Sequence, residues 1–307
     1  MHPTLSIVIP AYNVGNYIRQ CLDPIIEFNE IECEIIVVDD GSSDETFEIL
    51  KSYEDRRLKI IQHQFNKGLP AARNTGFRAA CGDYVIPLDS DDVPVPSSWI
   101  CLLDIVRNKP EAVLAYGYAQ PFLDGKIFQP NFKIKFNKPS GDVLSKIVTE
   151  NNFISVGTAI INRKAIERVG LWNEALTIGE DWELWCRLAA EGIFIYSPNL
   201  MIGYRHRKSS MTKSKKFMDE TKLIMPLYLI FDKIKMERFS ERQYNDLKKT
   251  AFSNFHYRLG MKNLLFKNYR NALIHLYKSF TLRPSKIFHL INYPWRALNR
   301  AFIQKIT

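Results

Sequence analysis

The stretch "EIIVVDDGSSDETFEIL", residues 34 to 50, contains a complete strand, turn and helix. "EIIVV" (34–38) is short, apolar and β-branched, as expected for a strand that is buried on both faces of a parallel sheet. "DDGSSD" (39–44) is a typical turn sequence, and Ser42 with Glu45 matches the capping box that starts a helix. A strand followed directly by a helix is the repeating unit of an α/β fold.

The same unit recurs on both sides of this stretch. Between the strands, Ile18, Cys21, Leu22 and Ile25 have the spacing of one helical stripe. We therefore predict an α/β protein with a doubly wound, mostly parallel sheet flanked by helices. The other predicted strands are "LSIVI" (5–9), "LKII" (58–61), "YVIPL" (84–88) and "AVLAY" (112–116).

The composition sets limits on the class of protein. The chain has 307 residues, of which 46% are hydrophobic, enough for one large domain and a smaller one. Its five cysteines include no C-x-x-C pair, which argues against a disulfide framework or a structural zinc site. The N-terminus lacks the pattern of a signal peptide, and the longest apolar run (223–231) is too short to span a bilayer. We expect a cytoplasmic location, either free or peripheral at the membrane face.

Three polar stretches follow predicted strands: "PAYN" (10–13), "DDGSSD" (39–44) and "DSDD" (89–92). Ligands of doubly wound sheets bind at the carboxyl ends of the strands, so the three stretches should line one crevice. The chain has neither G-x-G-x-x-G after the first strand nor a P-loop. Crowded carboxylates need a compensating cation, and Mg²⁺ or Mn²⁺ held by carboxylates binds the phosphates of a substrate.

Six motifs follow one another along residues 3–212: "VIPAYN", "VVDDGSSD", "GLPAARNTGF", "GDYVIPLDSDD", "SVGTAIINR" and "IGEDWELWCRL". Together they resemble the motifs of the nonprocessive family 2 glycosyltransferases of the GT-A fold. The resemblance implies an inverting transferase that moves one sugar from a nucleotide-diphospho-sugar, most often a UDP-sugar, to a hydroxyl acceptor. We expect a glycan or lipid-linked acceptor in surface glycan assembly, and no nucleic acid.

The resemblance also implies residue roles. The residues that match the family's donor site are Pro10, Ala11, Tyr12, Asp40, Arg73, Asn74, Asp89 and Ser90. The first three would pack on the base and ribose, and Asp40 would accept a hydrogen bond from uracil. Asp91 would bind Mn²⁺ or Mg²⁺. His206 is either a further metal ligand or a phosphate-facing or structural histidine.

Asp181 of "GED" matches the family's catalytic base, with Glu180 and Arg205 in supporting positions. Inversion needs one carboxylate to take the proton of the acceptor hydroxyl and a Lewis acid to stabilise the leaving diphosphate. The start of a helix favours the charged form of a carboxylate, which suits a base. An ordinary acidic first helical turn remains the alternative interpretation of "GEDWE".

The charge is strongly asymmetric within a net charge of +9. Residues 1–206 contain 20 basic and 27 acidic residues, whereas residues 207–307 contain 22 basic and 6 acidic residues. We predict a catalytic domain over 1–212 and a basic helical extension over 213–307. In the extension, "NYRNALIHLYKSFTLRPS" (268–285) resembles the second helix of a tetratricopeptide unit, with Tyr269, Leu273, Leu276 and Phe280 at helical spacing.

The final segment (284–307) combines Trp295, Leu298 and Phe302 with basic residues, which suits the surface of an anionic membrane. A solvated basic helical bundle is the alternative. Two other functions remain open at this point: a nucleotidyltransferase on a related sheet, and a catalytically silent membrane-bound scaffold. The first would need a Gly-rich basic loop where this chain has "PAYNVGNY", and the acidic residues Asp40, Asp91 and Asp181 argue against the second.

Overall fold

The computed structural model describes residues 3–132, 137–150, 152–207, 219–233 and 238–287. The chain forms two compact units, the first from residues 1–147 and 152–234 and the second from 148–151 and 235–307. The predicted boundary between residues 212 and 213 lies outside the described residues. The helix that follows it, Glu220–Lys233, belongs to the first unit.

The described residues of the first unit form one sheet flanked by helices. Its strands are β1 (Leu5–Ala11), β2 (Cys33–Asp39), β3 (Leu58–Gln62), β4 (Tyr84–Pro87), β5 (Val93–Pro94), β6 (Ala112–Leu123), β7 (Ala159–Asn162) and β8 (Ile193–His206). Its helices are α1 (Ile18–Glu27), α2 (Thr46–Lys51), α3 (Leu69–Ala79), α4 (Ser97–Asn108), α5 (Leu144–Glu150), α6 (Arg163–Val169), α7 (Glu180–Glu191) and α8 (Glu220–Lys233). The end of α5 belongs to the second unit.

The strand order is β3-β2-β1-β4-β7-β6-β8-β5. The predicted α/β class is confirmed, and β1 to β4 are parallel, with Ile7 paired to Ile35 on one side and to Ile86 on the other. The other half of the sheet is mixed. Strand β7 is antiparallel to β4 and β6, β5 is antiparallel to β8, and β6 and β8 are parallel to each other.

The core of the first unit explains the position of its site. The predicted stripe of α1 is confirmed, because Ile18, Cys21, Leu22 and Ile25 are all fully buried. Helix α3 lies so close to the sheet that a Cβ atom at Gly76 would collide with the side chain of Val8. Tight packing of α3 on β1 carries the first turns of this helix to the carboxyl edge of the sheet.

The capping box predicted for Ser42 and Glu45 is wrong. Helix α2 begins at Thr46 without a side-chain cap from Glu45. The Ser42 hydroxyl instead accepts the Asn13 amide at 3.0 Å, and Asp44 accepts the amides of Thr46 at 3.0 Å and Gly15 at 3.1 Å. The turn side chains join the segments after β1 and β2, which is a tertiary role that local spacing does not reveal.

The second unit contains helices α9 (Glu241–Leu265) and α10 (Tyr269–Leu282). A capping box of Ser240 and Gln243 starts α9. Small residues allow close contact of the two helices, since a Cβ atom at Gly260 would lie 2.8 Å from Cγ of Leu276, and the hydroxyls of Ser253 and Ser279 lie 3.1 Å apart.

Helix α10 confirms the helix that the sequence predicts over 268–285. Its partner α9 has 25 residues, which is too long for the paired helices of a tetratricopeptide unit of about 34 residues. Of the four residues at helical spacing, Leu276 is buried, whereas Tyr269 and Leu273 are exposed. Most of the predicted membrane segment 284–307 lies outside the described residues. Within the described part of the chain, no helix has the length and apolarity needed to cross a bilayer.

Candidate active site

The carboxyl ends of β2, β1 and β4 lie next to one another in the sheet, as the sequence predicts for the three polar stretches. At the end of β1, Pro10 and Ala11 are buried within the strand, whereas Tyr12 is 47% exposed. Tyr12 is followed by Asn13 with a positive φ of 50°, and the Asn13 side chain accepts the Ser43 amide at 2.8 Å. Of the three residues predicted to pack on a base, Tyr12 therefore presents a side chain at the surface.

Asp40 is only 2% exposed and is held by three hydrogen bonds. Its Oδ1 accepts the amide of Lys67 at 2.9 Å and lies 2.7 Å from Nδ1 of His63, and its Oδ2 accepts the amide of Gly68 at 2.8 Å. Asp40 thus fixes the loop that leads into α3. Its predicted bond to uracil stays a prediction, and any such bond has to be added to this network.

The turn after β4 carries three aspartates in different environments. Asp92 is 2% exposed and accepts the Arg205 amide at 3.0 Å, while Ser90 is also buried. The side chains of Asp89 and Asp91 are 31% and 19% exposed. Burial, and then the charge of Asp89, raise the pKa of the Asp91 carboxyl. A bound cation would relieve this repulsion.

Arg73 connects this turn to the start of α7. Its Nη2 donates to Oδ1 of Asp89 at 2.7 Å, and its Nη1 donates to Oε1 of Glu180 at 3.1 Å. The guanidinium is 1% exposed and lies 5.7 Å from the ring of Trp172. Burial alone would lower the pKa of Arg73, but the carboxylates of Asp89 and Glu180 outweigh burial and raise it.

Asn74, the neighbour of Arg73, has a structural position. Its amide group donates to the Trp172 carbonyl at 2.9 Å and to Glu174 at 2.7 Å, and its oxygen accepts the Trp172 amide at 2.9 Å. These bonds use the polar atoms of a side chain that is 2% exposed. Asn74 therefore holds the segment before α7 in place, and the predicted contact with the donor stays a prediction.

Asp181 lies in the first turn of α7, beside Glu180. Its Oδ1 accepts the amide of Trp182 at 2.7 Å, and its Oδ2 accepts Nδ2 of Asn152 at 2.7 Å. Burial, and then the charge of Glu180, raise the pKa of Asp181 to about 7. The start of the helix was expected to favour the charged form of Asp181. Desolvation and the like charge of Glu180 outweigh that effect and favour the protonated form.

Asn152 was not predicted from the sequence. It lies 29 residues before Asp181 in a segment without a motif, and its own oxygen accepts the Ile154 amide at 3.0 Å. This second bond fixes the orientation of the Asn152 amide. No local signal in the sequence could have connected Asn152 to the acidic turn.

Two arginines of the "RHR" stretch face the aspartate turn. Arg205 is 4% exposed, donates to the Asp91 carbonyl at 2.8 Å and lies between the rings of Tyr17 and Phe122, at 5.0 and 4.6 Å. Arg207 forms an ion pair with Asp91, with Nη2 and Oδ2 separated by 2.5 Å. The alternation of a strand explains why residues two apart share this face, so Arg207 could have been found from the sequence.

His206 is exposed at the end of β8, and its ring lies edge-on to Tyr204 at 5.2 Å. Among the described residues, no group of three or more His, Cys, Asp and Glu could hold a metal. The two accessible carboxylates, Asp89 and Asp91, still suit a metal such as Mg²⁺, which keeps positions for water and substrate phosphates. The choice between the two interpretations of His206 stays open.

Comparison with known proteins agrees with this fold. The structure resembles that of S. aureus TarS 1-349 in complex with UDP-GlcNAc, with a TM-score of 0.59 and 16% identity over 89% of both chains. It also resembles mannosyltransferase PcManGT of Pyrobaculum calidifontis in complex with GDP-Man and Mn²⁺, with a TM-score of 0.60 and 17% identity, covering 98% of this chain and 81% of that one. The protein has the fold of the GT-A glycosyltransferases.

The sequence narrows this class to one family. The family model of "Glycosyl transferase family 2" matches residues 6–170. The uncharacterized glycosyltransferase EpsJ of Bacillus subtilis is 32% identical over 232 residues, which cover 72% of this chain and 67% of EpsJ. The putative teichuronic acid biosynthesis glycosyltransferase TuaG of the same organism is 27% identical over 69% of this chain and 83% of TuaG. The chain belongs to glycosyl transferase family 2, as its motifs predict.

Proposed function

We propose that this glycosyltransferase transfers one sugar, with inversion, from a nucleotide-diphospho-sugar, in the first instance a UDP-sugar, to a hydroxyl acceptor. The observation that carries the proposal is the double contact of Arg73 with Asp89 and Glu180. One guanidinium spans the aspartate turn and the residue beside Asp181. This link, together with the effect of the Arg73 and Asp89 charges on the pKa of Asp181, supports one crevice for the carboxylates suited to a metal and the carboxylate suited to a proton.

In this mechanism Tyr12 stacks on the base, and Asp89 and Asp91 are the residues that would hold Mn²⁺ or Mg²⁺. When bound there, such a metal would supply a Lewis acid for the negative charge of the leaving nucleoside diphosphate. Asp181 takes the proton of the acceptor hydroxyl while the oxygen of that hydroxyl forms a bond to the anomeric carbon. The bond from that carbon to the diphosphate breaks on the opposite face, and its electron pair leaves with the nucleotide.

The environment of Asp181 supports its assignment as the base. A general base acts best when its pKa lies near the working pH, and the pKa of Asp181 is raised to about 7. Asn152 and the Trp182 amide each donate one hydrogen bond to the carboxylate. A carboxylate has about four acceptor sites, which leaves room for an acceptor hydroxyl.

The acceptor is proposed from two sources. The relative TuaG is named for teichuronic acid biosynthesis, which suggests a surface glycan. Residues 207–307 carry 22 basic and only 6 acidic residues, which suits association with an anionic membrane and a lipid-linked acceptor at its cytoplasmic face.

A thermal-shift panel of UDP- and GDP-sugars, with and without Mn²⁺, tests the donor assignment. A ligand at 100 times its Kd stabilises a protein by about 2.7 kcal/mol. We expect the largest shift in melting temperature from a UDP-sugar with Mn²⁺. Asp91→Asn should lose the portion of this shift that depends on Mn²⁺. The control Asp104→Asn, on the exposed side of α4, should keep the whole shift. A larger shift from GDP-sugars contradicts the UDP assignment, and a panel without any shift contradicts the proposed function.

A further inference from the structure

Helix α10 buries small residues against α9 and leaves several of its large apolar residues exposed. Ala272 and Ser279 are fully buried on the side that packs on α9, together with His275 and Leu276. Three large side chains four residues apart lie on the other side: Tyr269, Leu273 and Tyr277, with exposed fractions of 61%, 67% and 71%. These three large apolar side chains of α10 therefore lie outside its packing contact with α9.

More exposed apolar residues lie close to these three in the sequence. Of the fourteen large hydrophobic side chains exposed in the described chain, seven lie between Leu265 and Ile287. Single exposed apolar residues are ordinary, but a concentration of them marks an interaction site. We define the α10 outer face as Leu265, Phe266, Tyr269, Leu273, Ile274 and Tyr277.

Charge indicates which partner this face accepts. Lys267, Arg270 and Lys278 are exposed along the same stretch, and residues 247–307 contain twelve basic residues and no acidic one. A second copy of the chain would bring two basic surfaces together. The segment 288–307 of the chain carries Arg296, Arg300 and Lys305 without an acid, so it offers no complementary charge either.

We propose that the α10 outer face is the surface by which the protein docks on an anionic lipid bilayer. Tyrosine rings at such a surface lie at the level of the headgroups, with phenylalanine, leucine and isoleucine in the acyl boundary and lysine and arginine on the anionic headgroups. The inference rests on the proposed membrane association and assigns it to α10 rather than to the final segment.

Vesicle flotation of the full chain tests this assignment. The probes are vesicles of phosphatidylcholine alone and of phosphatidylcholine with about one third phosphatidylglycerol. The test variant combines Tyr269→Ser, Leu273→Ser and Tyr277→Ser. The control combines Ile127→Ser, Met225→Ser and Tyr228→Ser, which remove three exposed apolar side chains of the first unit. All six side chains are more than half exposed, so both variants should keep the wild-type circular dichroism and melting curve.

We expect the wild type and the control to float only with anionic vesicles, and the α10 variant to lose at least tenfold in binding. Arg270→Glu with Lys278→Glu should weaken binding as well, because each basic residue near an anionic leaflet contributes roughly fivefold. Equal binding of the wild type and the α10 variant overturns the inference but leaves the membrane association intact. Failure of the wild type to bind anionic vesicles contradicts the membrane association itself, while the donor panel with soluble nucleotide-sugars still tests the transferase.

Discussion

Nη2 of Arg207 lies 2.5 Å from Oδ2 of Asp91, so the carboxylate proposed to bind the metal has a positive partner from its own chain. The same guanidinium lies 5.2 Å from the ring of Tyr17. A divalent cation and Arg207 cannot both occupy this oxygen at close range. A metal bound through Oδ2 of Asp91 would therefore displace Arg207 from that oxygen.

Replacement of Arg207 should consequently strengthen the binding of Mn²⁺ in the absence of nucleotide. Removal of a competing ion pair worth about 1 kcal/mol predicts roughly a fivefold lower Kd for Arg207→Gln in calorimetry. The control is Arg78→Gln, because Arg78 is exposed and pairs with Glu174 at 3.5 Å. Weaker binding of Mn²⁺ by Arg207→Gln would show that Arg207 supports the metal site instead of competing with it.

Arg73 should be important for stability as well as for the site. Arg73→Met leaves the carboxylates of Asp89 and Glu180 without their shared buried partner, and removal of one member of a buried ionic cluster costs about 3–5 kcal/mol. Lys51→Met breaks an exposed pair with Glu48 and should cost less than about 1 kcal/mol. Urea unfolding of both variants measures the difference. Similar losses would mean that the Arg73 cluster contributes no more than a surface pair.

Asp181 should make the stability of the protein depend on pH. The pKa of Asp181 is about 7 in the folded chain, against an ordinary value of about 3.9 when unfolded. Between these values the folded state binds more protons than the unfolded state, so the contribution of Asp181 to stability falls as the pH rises from about 4 to about 7. Above this window the raised pKa of Asp181 lowers the free energy of unfolding by at most about 4 kcal/mol.

Asp181→Asn removes this titration. Urea unfolding at pH values below and above the window should show that the free energy of unfolding of the variant, relative to wild type, increases with pH. The variant also weakens the hydrogen bond that Asn152 donates to Asp181, and this lowers the free energy of unfolding by an amount that does not depend on pH. A difference that stays constant across the window would contradict a raised pKa at Asp181.

Asn152 should influence the pH dependence of transfer. Its Nδ2 donates to Asp181 Oδ2 at 2.7 Å, and a hydrogen bond to the charged form lowers a pKa. The wild-type transfer rate should rise with pH around a midpoint near 7, and Asn152→Ala should move this midpoint upward. The control Asn199→Ala removes an amide that contacts Ser197 and Cys101, and it should leave the midpoint unchanged. A lower rate with an unmoved midpoint would limit Asn152 to a structural role.

Periodicity and turn composition were enough to predict the first half of the sheet. Strands β1 to β4 are continuous apolar runs whose partners follow within a few dozen residues, and each connection contains a helix. The direction of β7 and the pairing of β6 with β8 depend on connections with no such repeat. The sequence therefore predicts the mostly parallel sheet but not the opposite direction of β5 and β7.

The candidate site was predictable where the residues lie in motifs. The aspartates after β4 were found because they follow an apolar run, and the acidic start of α7 was found because "GED" matches a motif of the family. Asn152 could not be found, since its contact with Asp181 spans 29 residues. Similarly, the spacing of Tyr269, Leu273 and Leu276 does not reveal which side of α10 packs on α9, because the small residues Ala272 and Ser279 decide it.

The most direct test of the account is the transfer activity of Asp181→Asn, measured together with its binding of donor and metal. The amide has nearly the shape of the carboxylate but cannot accept the proton, so the account predicts donor and Mn²⁺ affinities near wild type and a transfer rate lower by ~10²–10⁴. Glu180→Gln changes the residue that accepts a hydrogen bond from Arg73 but keeps Asp181 intact, so its transfer rate should fall less. Transfer by Asp181→Asn at the wild-type rate, with donor bound normally, would contradict the assignment of the base and the proposed mechanism.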